Sequence, residues 1–180
     1  KGIDFSLATY PGQADSIGAA LEVLGLPELG LHGSTAAAAI ITDTVQQAQI
    51  PHVGFSGLFL PVLEDSVLAD RAARGALTVN DLLLYSAVCG TGLDTVPLPG
   101  DTSPEHMAAM LLDIAALALR LNKPLTARLM PMPGKVVGDP LPCDFPFFAA
   151  GKVLGYRAQA LTHLLAGVEN FMLHPRPHAD

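Results

Sequence analysis

Two short β-type segments, LDTVPLPG (residues 93–100) and PLTARLMP (124–131), bracket one long helix-patterned stretch, DTSPEHMAAMLLDIAALALRLNK (101–123). This arrangement limits the fold more tightly than any other feature. Strands separated by a helix belong to a crossover, and a crossover joins parallel strands. The helix start carries either a capping box from Thr102 to Glu105 or a Ser103 cap with Pro104 at the first position. Asn122 and Lys123 end it.

The same alternation runs upstream. Residues 3–9 (IDFSLAT) read as a strand stopped by Pro11-Gly12. A short helix follows, capped by Asp15 or Ser16 and ended by Gly25. HGSTAAAAIITDTVQQAQI reads as a helix capped at Ser34 or Thr35, with an alanine run of high propensity. Residues 51–65 read as a buried strand and its exit loop. Two helices come next, residues 66–75 and 78–90. Thr78 and Asp81 form a capping-box variant on the second, with Gly90 just past its end. The order β, α, α, β, α, α, β, α, β predicts an α/β fold of parallel β/α units. Beyond Pro131 the chain is loop-like, with a last helix expected near residues 156–167. A single domain spanning 1–180 is expected, with a flexible tail at 168–180.

Composition narrows the function classes. Of 180 residues, 50% are hydrophobic and only 15% charged, and there is no Trp. The mean hydropathy of +0.40 fits a parallel sheet buried on both faces, or a surface covered by something outside this chain. The net charge of −7 argues against nucleic acid, which needs a basic stripe, and against an anionic membrane surface. The longest apolar run is broken by Asp113 and Arg120, short of the ~20 residues a membrane span needs. Two cysteines, Cys89 and Cys143, do not make a disulfide scaffold, so a cytoplasmic setting is expected.

Candidate chemistry gathers in CGTGLDTVPLPGD (residues 89–101). Cys89 falls in the last turn of a predicted helix, where the dipole opposes a thiolate. A radical role would escape that objection, and a small buried residue is the plainer reading. Asp94 opens a strand with no local structural task. With Asp4, on another strand, it could form a carboxylate pair for acid–base work or for a divalent ion. Asp101 precedes a helix and reads as a cap or dipole partner. Arg128 sits on an otherwise apolar strand, so it either faces a cavity or pairs with a carboxylate. His32 and Ser34 stand at a helix start whose N–H groups could hold an anion. Lys135 lies in GKVVGD, which lacks the first glycine and the Ser or Thr of a phosphate loop. No HExxH, CxxC, GxSxG or dinucleotide glycine pattern is present, and no metal site is expected.

Taken together, GLHGSTAAAAIITDTV, GFSGLFLPVLED, VCGTGLDTVPLPGDTS, NKPLTARLMPMPGKVVGD and DFPFF resemble the family called domain of unknown function 711 (DUF711, UPF0210), over residues 2–148. Its members are described as PFL-like. The resemblance implies a fold similar to pyruvate formate-lyase and anaerobic ribonucleotide reductase, a large α/β barrel of which this chain is similar to the C-terminal half. By position, Cys89, Gly92, Leu93, Asp94, Pro99, Gly100, Asp101, Arg128, Gly134, Lys135, Gly138 and Asp139 match the family pattern. The resemblance brings no established reaction and no known cofactor. KVLGY, ending at Tyr156, is close to the Arg-Val-x-Gly-Tyr motif of glycyl-radical enzymes. Lys replaces Arg, and a helix rather than a loop is expected after it, so Gly155 reads as coincidence.

Three functions follow as expectations. One is an enzyme acting on a small polar or anionic metabolite at a barrel mouth, with Cys89, Asp94 and Asp4 catalytic and Asp101, Arg128, Ser34, His32 and Lys135 binding. The second is a non-catalytic small-molecule-binding or regulatory protein. The third is a structural subunit with an apolar partner face. Expected partners are a small-molecule ligand and either a second copy or a missing N-terminal half.

Overall fold

The computed structural model describes residues 1–7, 9–142, 144–167, 170 and 172–177. Among them, five α-helices accompany four strands: α1 (Ile17–Val23), α2 (Ser34–Gln46), α3 (Ser66–Ala73), α4 (Val79–Ser86), β1 (Gly92–Pro99), α5 (Pro104–Leu121), β2 (Thr126–Met132), β3 (Pro140–Leu141) and β4 (Gly151–Lys152). β1 and β2 pair in parallel across α5, as the crossover argument requires.

The helix ends follow local chemistry. Ser16 accepts from the Ala19 N–H and starts α1. Thr78 and Asp81 form a reciprocal capping box on α4. Of the two readings for α5, the Ser103 cap with Pro104 is the one formed. α2 corrects its expected cap: Gly33, at φ 107°, holds the N-cap position. Ser34 is already helical, and its hydroxyl turns back to accept from Gly30 N–H at 3.1 Å and donate to Leu31 C=O at 2.7 Å. α4 ends at Ser86 with Ala87 as its C-cap, so Gly90 does not stop it. Gly90 N–H instead donates to Leu58 C=O at 3.1 Å.

Two expected strands are only partly realised. Residues 3–9 and 51–65 run parallel but meet through isolated bridges, Ile3 with His52 and Leu7 with Leu58. Ala8 lies outside the described residues. The cause is where the second segment sends its donors. Leu60 N–H bonds the Thr91 hydroxyl at 2.9 Å and Leu63 N–H the Thr95 hydroxyl at 3.1 Å, so side chains replace a backbone ladder toward β1. Pro61 follows, and the chain closes into a 3₁₀ turn, Val62–Glu64. In space the extended pieces nonetheless lie in chain order: 3–7 beside 52–58, then 58–63 beside β1, then β2. The described residues form no closed barrel; the paired strands are β1 with β2 and β3 with β4. The helix expected at 156–167 is absent, and only a 3₁₀ turn at His163–Ala166 forms there. β3 and β4 make a short antiparallel pair that the sequence reading did not anticipate.

β1 contains a bulge. Leu93 faces Ala127 and Val96 faces Leu129, so Asp94 and Thr95 together oppose Arg128. Thr95 takes φ 46°, a rare conformation for a β-branched residue. The bulge explains the core spacing. Leu93, Val96 and Leu98 all enter the main cluster with Leu58, Leu60 and Val62, three residues apart and then two. All five helices bury side chains in that cluster, among them Leu21, Ala38, Leu68, Leu82 and Ile114. A smaller cluster of Leu63, Leu141 and Val153, joined by Met130, Met132 and Phe148, is separate. Successive residues of a strand face opposite ways. Leu129 of β2 packs on the main core and Met130 on the lesser one, so the sheet has two apolar faces, one of them covered by the helices.

Candidate functional site

Alternation after core-facing Leu93 turns Asp94 to the face of the sheet away from the main core, where it meets Arg128 of β2. The Asp94 carboxylate is almost fully buried, at 2% exposure, and the Arg128 side chain is 50% exposed. Arg128 Nε donates to one Asp94 oxygen and Nη2 to the other at 2.9 Å, a bidentate geometry. Nη1 reaches Glu64 Oε1 at 2.8 Å, at the end of the 3₁₀ turn. Asp94 first, then Glu64, raises the Arg128 guanidinium above its ordinary range. A guanidinium carries five N–H donors. Three are engaged by these carboxylates, which leaves two for a ligand.

The cluster opens into a pocket of about 260 Å³ that Ser6, Thr9, Phe59, Pro61 and Thr126 help to line. Thr9 donates to Glu64 C=O at 3.0 Å, fixing the turn that presents Glu64. One guanidinium against two carboxylates leaves the cluster one negative charge in excess. That disfavours an anionic guest and favours a neutral or cationic one.

The other sequence candidates lie elsewhere. Asp4 is exposed, and its carboxylate accepts from the Ser6 hydroxyl at 2.6 Å and the Ser56 N–H at 3.0 Å. Those bonds, Ser6 first, hold its carboxyl below the usual range. It does not line the Asp94 pocket. Cys89 is 1% exposed, and burial pushes its thiol up, with a hydrogen bond to Thr91 the leading opposing influence. It borders another pocket, with Thr42 and Lys123. Cys143 lies outside the described residues. Asp101 is exposed in a turn, and α5 takes its cap from Ser103. His32 lines a cleft between α2 and α4, while Ser34 is 1% exposed and locked to Gly30 and Leu31. Among the described residues, Lys135 Nζ reaches Pro140 C=O at 3.4 Å. No group of three or more His, Cys, Asp or Glu able to hold a metal occurs among the described residues.

Two carboxylates escaped the sequence reading. Glu64 sits at a strand exit, where no periodicity marks it; the Glu64-Asp65 pair after an apolar run was the available signal. Asp65, wholly buried, bonds the N–H groups of Ile17, Gly18, Val67 and Leu68 and the Ser16 hydroxyl. It thus serves the N-termini of α1 and α3 at once, a structural task.

Fold and site together define a mixed α/β protein with parallel strands and a carboxylate–guanidinium cluster on one sheet face. Residues 1–144 match the family model described as Uncharacterised ACR (DUF711). A UPF0210 protein of Pyrobaculum arsenaticum is 46% identical over 141 residues, 76% of this chain and 32% of the relative. UPF0210 proteins of Lactobacillus delbrueckii subsp. bulgaricus and Leuconostoc mesenteroides subsp. mesenteroides are 45% and 40% identical over the same shares. The chain belongs to the DUF711 (UPF0210) family, and it spans about a third (32%) of the length of these curated relatives. No helix among the described residues is long and apolar enough to cross a membrane.

Proposed function

We propose that the protein is an enzyme acting on a small polar metabolite at the Asp94–Arg128–Glu64 cluster. The carrying observation is the bulge at Asp94–Thr95. A β-branched residue in left-handed backbone is costly, and such strain concentrates at functional sites. Here it sits beside a buried carboxylate at the rim of a pocket. Arg128 and Asp94 would position the ligand. Glu64 Oε2 accepts no hydrogen bond among the described residues, so Glu64 is the candidate acid–base group. The charge excess favours neutral or cationic metabolites over the anionic ones that the candidate residues of the sequence also allow.

The wider architecture is read as part of a barrel of the pyruvate formate-lyase and ribonucleotide reductase type. Support comes from the chain-order neighbours of the parallel segments and from two edges left open among the described residues. At one edge Ile3 and Phe5 are half exposed, and at the other Ala127 and Arg128 are exposed. The remaining two-thirds of the family polypeptide, or a second copy, would add strands there, in a cytoplasmic setting. A non-catalytic binder is the second reading, favoured by the saturation of both Asp94 oxygens.

The test is a ligand-observed NMR screen of hydroxyl- and amine-bearing metabolites against the complete protein, followed by hours of incubation with each hit. Conversion that disappears in Glu64→Gln even at concentrations of the hit that saturate the variant supports the enzyme. Binding without conversion in the native protein supports the binder. Hits that bind Arg128→Met as well as they bind the native protein would place the site elsewhere.

A further inference from the structure

Building on that reading of the cluster, we infer that its ligand is amphipathic, with an ammonium head on Glu64, or a hydroxyl head that donates to Glu64 and accepts from Arg128, and an apolar body seated further along β2. The same face of β2 carries Thr126, Arg128, Met130 and Met132 in alternation. The first two line the polar pocket. The next two line a second pocket of about 290 Å³, walled also by Leu63, Leu141, Phe145 and Phe148. The 3₁₀ turn makes the same passage in one step, Glu64 facing the first pocket and Leu63 the second. Two independent elements therefore cross from one pocket to the next within two residues. At roughly 3.3 Å per residue, Arg128 and Met130 stand about 7 Å apart along the strand, within the span of one small molecule.

The second pocket is not simply unfinished core. It opens to the surface rather than being sealed in the interior, so it can admit a guest. Its walls are thioether, aromatic and leucine groups, and methionine side chains adapt to irregular guests. The loop carrying Phe145 and Phe148 is fastened across it by the Ala149 N–H, which donates to Leu63 C=O at 2.6 Å. Among the described lining residues Asp144 is the charged one, so acidic groups border both pockets and a fatty carboxylate is the wrong head. Taken together the pockets fall within the ~300–1,000 Å³ of small-molecule sites, which pair apolar walls with a few placed polar groups.

The experiment compares ethylammonium, hexylammonium and hexanoate on the complete protein, following methionine methyl NMR signals. Each methylene that leaves water gains about fourfold in affinity when fully buried. Hexylammonium should therefore bind at least about tenfold more tightly than ethylammonium, shift the Met130 and Met132 methyls, and outcompete hexanoate. Met132→Gln, at a partly exposed position, should bring the two amine affinities together. Equal affinity for both amines would overturn the amphipathic assignment. The head site would then still stand if Glu64→Gln weakened ethylammonium. Binding by neither amine would overturn both, and tighter binding of hexanoate would overturn the charge assignment.

Discussion

Arg128 has two roles that pull its energetics in different directions. It neutralises a buried carboxylate, and it holds out half its own surface to solvent. Arg128→Met would leave Asp94 buried without its cation. Breaking a fully buried pair costs about 3–5 kcal/mol; with Arg128 half exposed, a loss of about 2 kcal/mol is expected in urea denaturation. Adding Asp94→Asn to Arg128→Met should restore part of that loss, because the stranded charge is gone. A double mutant as unstable as the sum of the singles would show that the pair is not coupled. At this scale the sequence is informative about one partner at a time. An arginine on an apolar strand announces a carboxylate, and Asp94 was conspicuous for lacking any local task. Their meeting is not visible in the sequence, because it depends on the register between two strands. Glu64 was hidden in an exit turn. Cys89 drew notice by chemistry alone, and burial works against its thiolate.

Among the elements, Asp65 joins α1 to α3 through one carboxylate. Asp65→Ala would orphan buried N–H groups at both helix starts, at about 1–3 kcal/mol for each group left unsatisfied. We expect a loss of at least about 2 kcal/mol, with amide exchange accelerating in α1 and α3 together. Acceleration in α3 alone would show that α1 is held by other means. Helices were the readable part of this chain. Ser16, Thr78 with Asp81, and Ser103 with Pro104 are local signals that act within one turn. Segments 3–9 and 51–65 were readable as extended but not as paired, since their partners are threonine hydroxyls and single bridges rather than a ladder. The missing helix at 156–167 has a comparable cause. His163 takes φ 53°, and packing of Leu154, Tyr156 and Ala158 on the main core outweighs their helical pattern.

For the molecule as a whole, an ionic girdle crosses between elements. Arg71 of α3 pairs with Glu22 of α1 and Asp70, and Arg74 reaches Glu28 and Asp70. The Arg71 guanidinium, first by hydrogen bonding, holds the Glu22 carboxyl below its ordinary value. A carboxyl depressed in the folded state binds fewer protons there than when unfolded. Its contribution is therefore complete above the ordinary glutamate value of about 4.3 and lost as pH falls through the lower folded value. Unfolding midpoints measured from pH 6 downward should decline below about pH 4.3, and less steeply in Glu22→Gln. Parallel curves for the two proteins would remove Glu22 from the acid response.

The bulge in β1 also bears on which changes of length the chain can accept. Excising Thr95 would leave Leu93, Val96 and Leu98 in strict alternation, with Asp94 still outward opposite Arg128. The deletion would relieve a left-handed backbone costing about 1–3 kcal/mol while stranding the Leu63 N–H, at a similar cost. A chain shortened at Thr95 should therefore fold with nearly native stability. Excising Pro97 instead would swing Leu98 out of the core and should prevent folding. Thr95 is thus a spare letter in the strand's reading frame, one for which core packing has no need. If ligand affinity vanishes with that deletion while the fold survives, the extra residue serves the pocket.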